Sequence, residues 1–509
     1  MSDKDIIILN TSHINPVTQG DTSNQSLYKM RTASLNFGRR SSDPLVSIYV
    51  QAYNRLNKTM KCVESILKYT EGDYELLLID NGSTDGTLEY FKSISSSRKK
   101  ILRVTHNVGS GYPVKTAMSI CSGRYIVTIS NDTYVTSNWL TNLIKCIESD
   151  ERIGLVCPMS TNVSNLQQPP GFSFSSLDEF FIKANDFNKS SDPTKWQERL
   201  RLIPILSVFK PELLNILGSN DPAFVHDFSE DDLCARIRRT GYKMILVGDT
   251  VVHHDHDFRQ FEDKDEKAYN NSLSLGRESF KKKYKGIDAW DDILNFDLDC
   301  LQYIDSPPTN CPSILGIDVK CGQPILSISN KLRELGVFNS NRLAFTTKAK
   351  YYDDLQFVCD SPQVICDRID FISDYYEANS VDYVILGEPI NTYDQPAKIL
   401  KKILGIVKKG GNLIFKLRNC VSIYTYLNLT DKSTTLDPEM PIQISIEELI
   451  NLVKMFNPQK VNVSSEPYNI GVEDRDAINQ ICNMLSNESN NNNIFNKMIT
   501  KDYLFCLKK

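Results

Sequence analysis

Ile126-Val-Thr-Ile-Ser-Asn-Asp-Thr133 is an apolar run rich in β-branched residues that ends abruptly in a polar cluster with one carboxylate. Such a run is typical of a buried parallel strand. In open α/β sheets, ligands bind at the carboxyl ends of the strands. Hard divalent cations prefer oxygen ligands, so Asp132 is a candidate ligand for a metal ion or for the phosphate side of a bound molecule. The alternative is that Asp132 only caps a helix, and the sequence upstream favours the ligand.

Three strand–loop–helix units lie upstream of this stretch. The predicted strands are residues 46–50, 74–79 and 101–104, and the loops that follow them are residues 51–55, 80–86 and 107–111. Repeated units of this kind predict a doubly wound, mostly parallel α/β sheet. All the loops then lie at one edge of the sheet. Loops that carry glycine and precede helix N-termini suit a nucleotide diphosphate.

The bulk properties of the chain narrow the class of protein. A chain of 509 residues is longer than one ordinary core, so we expect at least two domains. Its net charge of −5 gives no reason to expect nucleic acid as the main partner. The thirteen cysteines are scattered without a C-x-x-C pair, which favours reduced thiols over disulfides. With neither a signal-peptide pattern nor an apolar run of membrane-spanning length, the sequence predicts a cytoplasmic protein.

The region from about residue 43 to 286 resembles the family 2 glycosyltransferases, which have the GT-A fold. Gln51-Ala-Tyr-Asn-Arg55 corresponds to the family's P-x-Y-N-R segment, and Asp80-Asn-Gly-Ser-Thr-Asp-Gly-Thr87 matches its D-[DN]-G-S-x-D-G-T signature. The resemblance implies that Asp80 holds the uracil or thymine edge of the donor. It also implies that Asp132, as the last acid of a D-x-D-like motif, helps to bind Mn²⁺ or Mg²⁺. The motif departs from the family at Ser130, which contributes no charge.

The resemblance implies a nucleotide-binding set drawn from these loops. Its members are Gln51, Tyr53, Arg55, Asp80, Asn107, Gly109, Asn131 and Asp132. Uridine is the expected nucleoside, and UDP-GlcNAc is an example of the expected donor.

The segment Asp227-Phe-Ser-Glu-Asp-Asp-Leu233 places three consecutive acids at the start of an amphipathic helix. Acids at a helix N-terminus are favourable without any catalytic role. Family 2 enzymes, however, carry an E-D-x-D-L or E-D-D-L segment here, and one of its carboxylates is the base that deprotonates the acceptor. Counting back from Arg236 indicates Glu230, whereas reading the Glu-Asp pair from the left indicates Asp231. We favour Asp231 and keep Glu230 as the alternative.

Three of the six histidines lie in Val251-Val-His-His-Asp-His-Asp257, which follows a strand predicted at residues 244–247. A His-Asp-His cluster after a strand is a candidate for metal binding. In the resembled family a histidine at this place completes the metal site. The spacing indicates His254 beside Asp132, with His256 or His253 as alternates.

Two further segments carry expectations about the donor and the acceptor. Residues 270–284 resemble the closing N-R-x-x-F-x-x-K-[WY] segment, which implies that Arg277 and Lys283 lie over the diphosphate; a solvated helix end is the alternative reading for the lysines. The insertion at residues 162–192 either contacts the acceptor or is a variable surface excursion.

After a connector at residues 287–310, residues 311–509 form a second α/β pattern that resembles class I S-adenosylmethionine-dependent methyltransferases. Where the family has its G-x-G-x-G loop, this chain has Asp318 and Lys320 in place of glycines, and only Gly322 remains. The strand 342–346 also lacks the acid that would hold the ribose. We therefore expect a Rossmann-like, methyltransferase-type domain that does not use S-adenosylmethionine. We also expect a flexible loop at the asparagine-rich run 489–493.

The sequence as a whole predicts an inverting, metal-dependent glycosyltransferase with a nucleotide-diphosphate sugar donor. Residues 1–42 are expected to be an N-terminal extension. The resemblance implies a glycan or protein hydroxyl as acceptor, with flagellin as one example, and a homodimer is a further expectation. The two alternatives are a methyltransferase that acts on a glycan and an inactive scaffold that binds sugar nucleotides.

Overall fold

The computed structural model of the chain consists of two compact units, Met1–Leu294 and Asn295–Lys509. The structure describes residues 6–14, 45–218, 220–221, 223–224, 227–256, 266–305, 309–359, 362–423, 442–485 and 491–509. Most of the predicted N-terminal extension, Asp257 and the Pro307-Pro308 pair lie outside the described residues. None of the described helices is long and apolar enough to span a membrane.

The first unit is built on one large sheet of ten strands. The strands are β1 (Ile6–Leu9), β2 (Val46–Ala52), β3 (Tyr74–Asn81), β4 (Lys99–Val104), β5 (Tyr125–Ser130), β6 (Thr133–Tyr134), β7 (Ile153–Ser160), β8 (Trp196–Glu198), β9 (Leu206–Phe209) and β10 (Lys243–His254). They follow the order β1-β4-β3-β2-β5-β9-β7-β10-β6, with β8 beside β10. Strands β1 to β5 are parallel, and β9 lies antiparallel between β5 and β7. The predicted doubly wound α/β class is therefore confirmed.

Eight helices are described in this unit. They are α1 (Leu56–Tyr69), α2 (Thr87–Ser93), α3 (Val114–Ile120), α4 (Trp139–Glu148), α5 (Leu177–Phe187), α6 (Glu212–Leu217), α7 (Ser229–Arg238) and α8 (Glu266–Lys283), with a 3₁₀ turn at Pro193–Lys195. The near-continuous apolar strands β2, β3 and β5 are buried on both faces because helices cover the sheet. Helix α7 buries Cys234 and Ile237, and Leu233 is half-buried.

The histidine segment is part of a strand, which differs from the sequence prediction. A single strand, β10, runs through His254, with a register shift against β7 between Val247 and Val251. Gly248 lies at this irregularity, where a Cβ would come within 2.3 Å of the carbonyl oxygen of Lys195. The shift lets β10 continue as one strand, and its last residues pair with β6.

The insertion at residues 162–192 is packed against the sheet domain. Its helix α5 begins after Ser176, whose side chain accepts a hydrogen bond from the backbone nitrogen of Glu179. Phe172, Phe180 and Phe187 form a cluster of edge-to-face ring contacts. The aromatic residues that the sequence shows here therefore serve as a small core.

The second unit contains a seven-stranded sheet with the order β13-β12-β11-β14-β15-β17-β16. Its strands are β11 (Ser313–Ile317), β12 (Asn341–Thr346), β13 (Val364–Cys366), β14 (Val381–Leu386), β15 (Val407–Arg418), β16 (Lys460–Pro467) and β17 (Thr500–Lys508). Its helices are α9 (Gln323–Glu334), α10 (Tyr352–Val358), α11 (Ile372–Tyr375), α12 (Pro396–Ile406), α13 (Ile446–Met455), α14 (Val472–Leu485) and α15 (Asn491–Ile499). Strand β17 runs antiparallel to both neighbours, and β11 to β15 are parallel. This is the expected Rossmann-like arrangement.

Two segments differ from the simple pattern in the sequence. The asparagine-rich run was expected to be a loop, but Asn491–Asn493 form the first turn of α15. The prediction is wrong for these residues because Ile494 and Phe495 of this helix pack on Ile478 and Cys482 of α14. Separately, the start of the expected connector lies within the first unit, where Ile287, Ala289 and Ile293 are buried.

Candidate active site

The loop after β3 holds Asp80 in a buried position. Asp80 is fully buried, and its Oδ1 accepts a hydrogen bond of 2.8 Å from the backbone nitrogen of Ser83. The strand register places Arg103 of β4 directly opposite, and its guanidinium contacts Asp80 Oδ2 and donates to the carbonyl oxygen of Ser83. A carboxylate has several lone-pair sites, so these two partners leave Asp80 able to accept further hydrogen bonds.

The loop after β2 is fixed against the loop after β3. Asn54 and Arg55 both have positive φ angles, 53° and 59°. The backbone nitrogen of Asn54 donates to Ser83 Oγ at 2.9 Å, and Asn54 Oδ1 accepts from the backbone nitrogen of Thr84 at 3.0 Å. This tight turn leaves Tyr53 48% exposed and turns Arg55 towards Asp132.

The loop after β4 meets the other two loops through amide contacts. Asn107 Oδ1 accepts from the side chain of Asn81 at 3.1 Å and from the backbone nitrogen of Gly109 at 3.0 Å. Gln51 donates to the carbonyl oxygen of Ser110 at 3.1 Å. Three of the predicted nucleotide loops are thus joined at the carboxyl edge of the sheet. The amide of Asn131 donates to Thr59 Oγ1 of α1 at 2.8 Å and to the carbonyl oxygen of Asn54 at 3.4 Å.

Asp132, His254 and His256 form a group that can hold a metal ion. One ligand atom from each residue lies within 4.8 Å of the others. His254 Nε2 lies 3.5 Å from Asp132 Oδ1, and Arg55 Nη1 lies 3.3 Å from Asp132 Oδ2. Burial opposes the charge of Asp132, but the hydrogen bond and charge of His254, with the charge of Arg55, outweigh it and lower its pKa. The carboxylate is therefore ionised, as a metal ligand must be.

The local structure explains why these residues meet. Directly after β5, the chain forms the short strand β6, which pairs with the end of β10 so that Thr133 lies opposite His254. The backbone nitrogen of Asp255 also donates to the carbonyl oxygen of Asp132 at 2.8 Å. His254 Nδ1 lies 3.2 Å from the carbonyl oxygen of Asn162. Because a carbonyl oxygen only accepts hydrogen bonds, Nδ1 carries a proton and Nε2 is the atom that would bind a metal ion, the arrangement that metal-binding histidines use.

His253, which the sequence left as an alternate, faces the other way. It is 8% exposed, its Nδ1 lies 2.7 Å from Thr161 Oγ1, and its ring packs on Phe174 and Phe180. Burial lowers its pKa to about 4. Neighbouring residues of a strand point to opposite faces, so His253 belongs to the aromatic core of the insertion.

The two candidate bases at the start of α7 differ in their exposure and in their contacts. Asp231 is 2% exposed and receives both a hydrogen bond of 3.1 Å from Arg201 Nη2 and an ion-pair contact from Arg201 Nε. The side chain of Glu230 is 28% exposed and has a longer contact to Arg201 Nη2, at 3.4 Å. Glu230 also lines a cavity of about 500 Å³ together with Gln51 and Ser130. Glu230 is thus the more accessible carboxylate, whereas the sequence favoured Asp231.

Burial and neighbouring charges shift the pKa values of Glu230 and of Arg201. Burial, and then the neighbouring charge of Asp231, raise the pKa of Glu230. Burial opposes the charge of Arg201, but the charges of Asp231 and Glu230 hold it protonated and raise its pKa. A carboxylate with a raised pKa is a stronger base than an ordinary glutamate.

The structure places the two predicted diphosphate residues in ion pairs. Arg277 donates to Asp288 at 2.7 and 2.8 Å and to Asp291 at 2.8 Å. Lys283 contacts Asp221 and Asp232. Asp232 itself accepts from Arg236, four residues later in the same helix. The contacts described for Arg277 therefore do not include the Asp132 group, and Lys283 reaches the acidic helix.

Two site residues were not found from the sequence. Arg103 carries a readable signal, because it interrupts the apolar run at residues 101–104, beside the strand that carries Asp80. Arg201 carries none: it lies in the loop between β8 and β9 and reaches α7 only through the tertiary fold.

The glycine-poor loop of the second unit is closed by its own side chains. Asp318, Lys320 and Gly322 have positive φ angles of 48°, 54° and 101°, so the backbone keeps a conformation that favours glycine. Asp318 Oδ1 accepts from the backbone nitrogen of Thr347 at 2.6 Å, and Oδ2 accepts from the hydroxyl of Tyr393 at 2.7 Å. This carboxylate links the ends of β11 and β12 to Tyr393, which lies between β14 and α12, at the loop where the cofactor would have to enter. The residues present do not fit S-adenosylmethionine.

One family model matches a part of the first unit. The family model described as "Glycosyl transferase family 2" matches residues 47–205. Chondroitin synthase from Escherichia coli is 32% identical over 120 residues, which are 23% of this chain and 17% of that protein. Glycosyltransferase GlyG from Streptococcus pneumoniae is 24% identical over 220 residues, which are 41% of this chain and 69% of GlyG.

A solved structure of the mannosyltransferase PcManGT from Pyrobaculum calidifontis, in complex with GDP-Man and Mn²⁺, is 20% identical with a TM-score of 0.36. That match covers 50% of this chain and 69% of that one. The chain thus spans less than a fifth of the chondroitin synthase and about two thirds of GlyG. Residues 47–205 of the first unit are thus similar to glycosyltransferase family 2.

Proposed function

We propose that this chain is an inverting, metal-dependent glycosyltransferase that moves a sugar from a nucleotide diphosphate to an acceptor hydroxyl. The observation that supports the proposal most is the Asp132–His254–His256 group at the carboxyl edge of the sheet. Beside it, Gln51 and Ser130 share a cavity with Glu230. A metal-binding group at the strand ends and a candidate base in the first turn of α7 are the two parts that such a transfer requires.

The donor set of the metal group fits a divalent cation. One carboxylate oxygen and two imidazole nitrogens suit Mn²⁺ better than Mg²⁺, which prefers oxygen ligands alone. A cation held by Asp132, His254 and His256 would neutralise charge on the leaving diphosphate. Arg55, 3.3 Å from Asp132, holds that carboxylate ionised and adds positive charge at the same edge. Asp80 and the Asn107 loop would bind the nucleoside, with uridine as the expected one and UDP-GlcNAc as the first donor to test.

Glu230 would act as the base. In an inverting transfer the acceptor oxygen attacks the anomeric carbon from the face opposite the leaving group, and its proton passes to a carboxylate. The raised pKa of Glu230 suits this role. Asp231 would be a positioning residue, because its ion pair with Arg201 fixes the start of α7. The expectations of a surface-protein hydroxyl as acceptor, of flagellin as an example and of a homodimer stay predictions.

Calorimetric titration with UDP and GDP, in the presence and absence of Mn²⁺, tests the proposal. We expect UDP to bind only with Mn²⁺. Asp132→Asn keeps the side-chain volume and should abolish this Mn²⁺-dependent binding. Asp178→Asn, which removes an exposed acid at the start of α5, is the matched control and should bind as the wild type does. The proposal fails if UDP binding does not respond to Mn²⁺ or if both variants respond alike.

A further inference from the structure

We propose that the cavity beside Glu230 receives an apolar group of the acceptor, adjacent to the hydroxyl that reacts. This inference rests on the proposed function and specifies its substrate class: a neutral alcohol or glycoside that carries an aliphatic chain. The cavity has a volume of about 500 Å³, within the range of small-molecule sites.

The walls of the cavity are largely aliphatic. They include Met118 of α3, Leu155 of β7, Leu213 and Leu214 of α6, and Leu233 of α7. Protein interiors are normally close-packed, and apolar walls without neighbouring atoms lose dispersion contacts. An apolar occupant restores those contacts and removes its own surface from water. The lining therefore favours an aliphatic group over a sugar ring, whose hydroxyls need polar partners.

The residues that line the cavity differ in their exposure to solvent. Leu155 and Leu213 are 3% and 2% exposed, whereas the side chain of Glu230 is 28% exposed. Gln51 and Ser130, at the ends of β2 and β5, belong to the same lining as Glu230. Gln51, Ser130 and Glu230 thus form a polar end of the lining, and Leu155 and Leu213 form a buried apolar part. Thr128 and Ser207, which also line the cavity, hydrogen-bond each other at 2.8 Å. An acceptor whose hydroxyl reaches Glu230 would direct its apolar group inwards.

The charges of the lining exclude one class of apolar acceptor. Asp227 and Glu230 are the ionisable carboxylates in the wall, and the lining residues that the structure describes include no lysine, arginine or histidine. A phosphate or diphosphate inside the cavity would face these two carboxylates, and the cation described beside Glu230, Arg201, is held in its ion pair with Asp231. The geometry therefore favours a neutral occupant over a lipid phosphate.

Isothermal titration of the protein loaded with UDP and Mn²⁺ tests this with methyl, butyl and octyl β-D-glucosides below their micelle concentrations. Burial of one methylene strengthens binding about fourfold, so octyl glucoside should bind at least tenfold more tightly than methyl glucoside. Leu214→Trp fills the cavity and should abolish this dependence on chain length. Ile216→Trp adds the same ring to the exposed face of the same helix, where the side chain is 59% exposed, and should preserve it.

The same samples separate the possible failures. Retained binding of UDP with Mn²⁺ shows that Leu214→Trp is folded, and Ile203→Phe, from the loop before β9, fills the same cavity should Leu214→Trp be unstable. Equal affinities along the glucoside series, or a dependence that Leu214→Trp leaves intact, overturn the inference while the proposed function stands. A dependence on chain length in a protein that binds no UDP overturns the acceptor assignment together with the proposed function. Tighter binding of octyl phosphate than of octyl glucoside overturns the preference for a neutral group.

Discussion

His254 Nε2 lies 3.5 Å from Asp132 Oδ1, although β5 and β10 are far apart in the sequence. The pairing of β6 with β10 brings the two side chains together. We expect His254→Ala to weaken the Mn²⁺-dependent binding of UDP at least about tenfold, because removing one of three ligands loses both a bond and the orientation of the others. Titration with UDP in the presence of Mn²⁺ measures the effect, and in a chelator neither the wild type nor the variant should bind UDP.

His253→Ala is the matched control for this variant. His253 packs on Phe174 and Phe180, so its removal should lower the free energy of unfolding by roughly 1–3 kcal/mol. The affinity for Mn²⁺ should stay that of the wild type. Thermal unfolding and metal titration together distinguish the two histidines. A variant at residue 253 that loses Mn²⁺ affinity, beside a variant at residue 254 that keeps it, would contradict the assignment.

Glu230→Gln should lower the turnover number at least about 100-fold, because the amide cannot accept the proton of the acceptor. The affinity for UDP and Mn²⁺ should be unchanged, since the contacts described for Glu230 do not involve the Asp132 group. Release of UDP from a donor that the protein turns over is the measurement. Wild-type binding without any turnover would instead favour the inactive scaffold, and loss of activity in Asp231→Asn but not in Glu230→Gln would restore Asp231 as the base.

The pH dependence of turnover offers a second test of the same pair. Glu230 must be deprotonated to act, so turnover rises with pH through its pKa, which burial and the charge of Asp231 raise. Asp231→Asn removes that negative charge and lowers the pKa of Glu230, so the acidic limb of the profile should move to lower pH. The control Asp178→Asn should leave the limb in place. A shift of the limb to higher pH in Asp231→Asn would contradict the assignment of Glu230 as the base whose pKa Asp231 raises.

The sequence predicts the parts of the site that depend on local patterns. Strand ends, turn glycines and capping acids are local, so the loops of Asp80, Asn107 and Asp132 could be placed at one edge of the sheet from periodicity alone. The choice between Glu230 and Asp231 could not be made in this way. Consecutive residues of a helix point about 100° apart, and which one reaches the cavity depends on how α7 packs and on Arg201, which comes from a distant loop.

Tertiary packing also decided the two segments that local patterns placed wrongly. The register shift between Val247 and Val251 keeps β10 continuous, so His253 and His254 face opposite sides although both looked like loop residues. In the second unit, asparagine has a low helix propensity, yet Asn491–Asn493 are helical because the next residues fill a small core.

The second unit should not bind S-adenosylmethionine. Asp318 bridges Thr347 and Tyr393 across the strand ends, and any cofactor would have to break both hydrogen bonds and meet the carboxylate. Titration of the full chain with S-adenosylmethionine should show no heat of binding. Thermal unfolding in the presence of S-adenosylmethionine should show no rise in the unfolding temperature. Binding in the micromolar range would revive the methyltransferase alternative.

Gly82 links the geometry of the loops to nucleotide affinity. Its φ is +88°, and a Cβ would lie 2.6 Å from the backbone nitrogen of Asn107. We expect Gly82→Ala to push apart the loops after β3 and β4 and to weaken UDP binding several-fold. Gly72→Ala is the matched control, because its φ is +92° and nothing lies within 4 Å of the added carbon.

Gly72→Ala should therefore cost only the strain of a left-handed alanine, roughly 1–2 kcal/mol of unfolding free energy, with UDP binding unchanged. Chemical denaturation and UDP titration of both variants separate strain from steric displacement. If the two variants lose equal stability and equal affinity, the close approach of the two loops does not shape the nucleotide site.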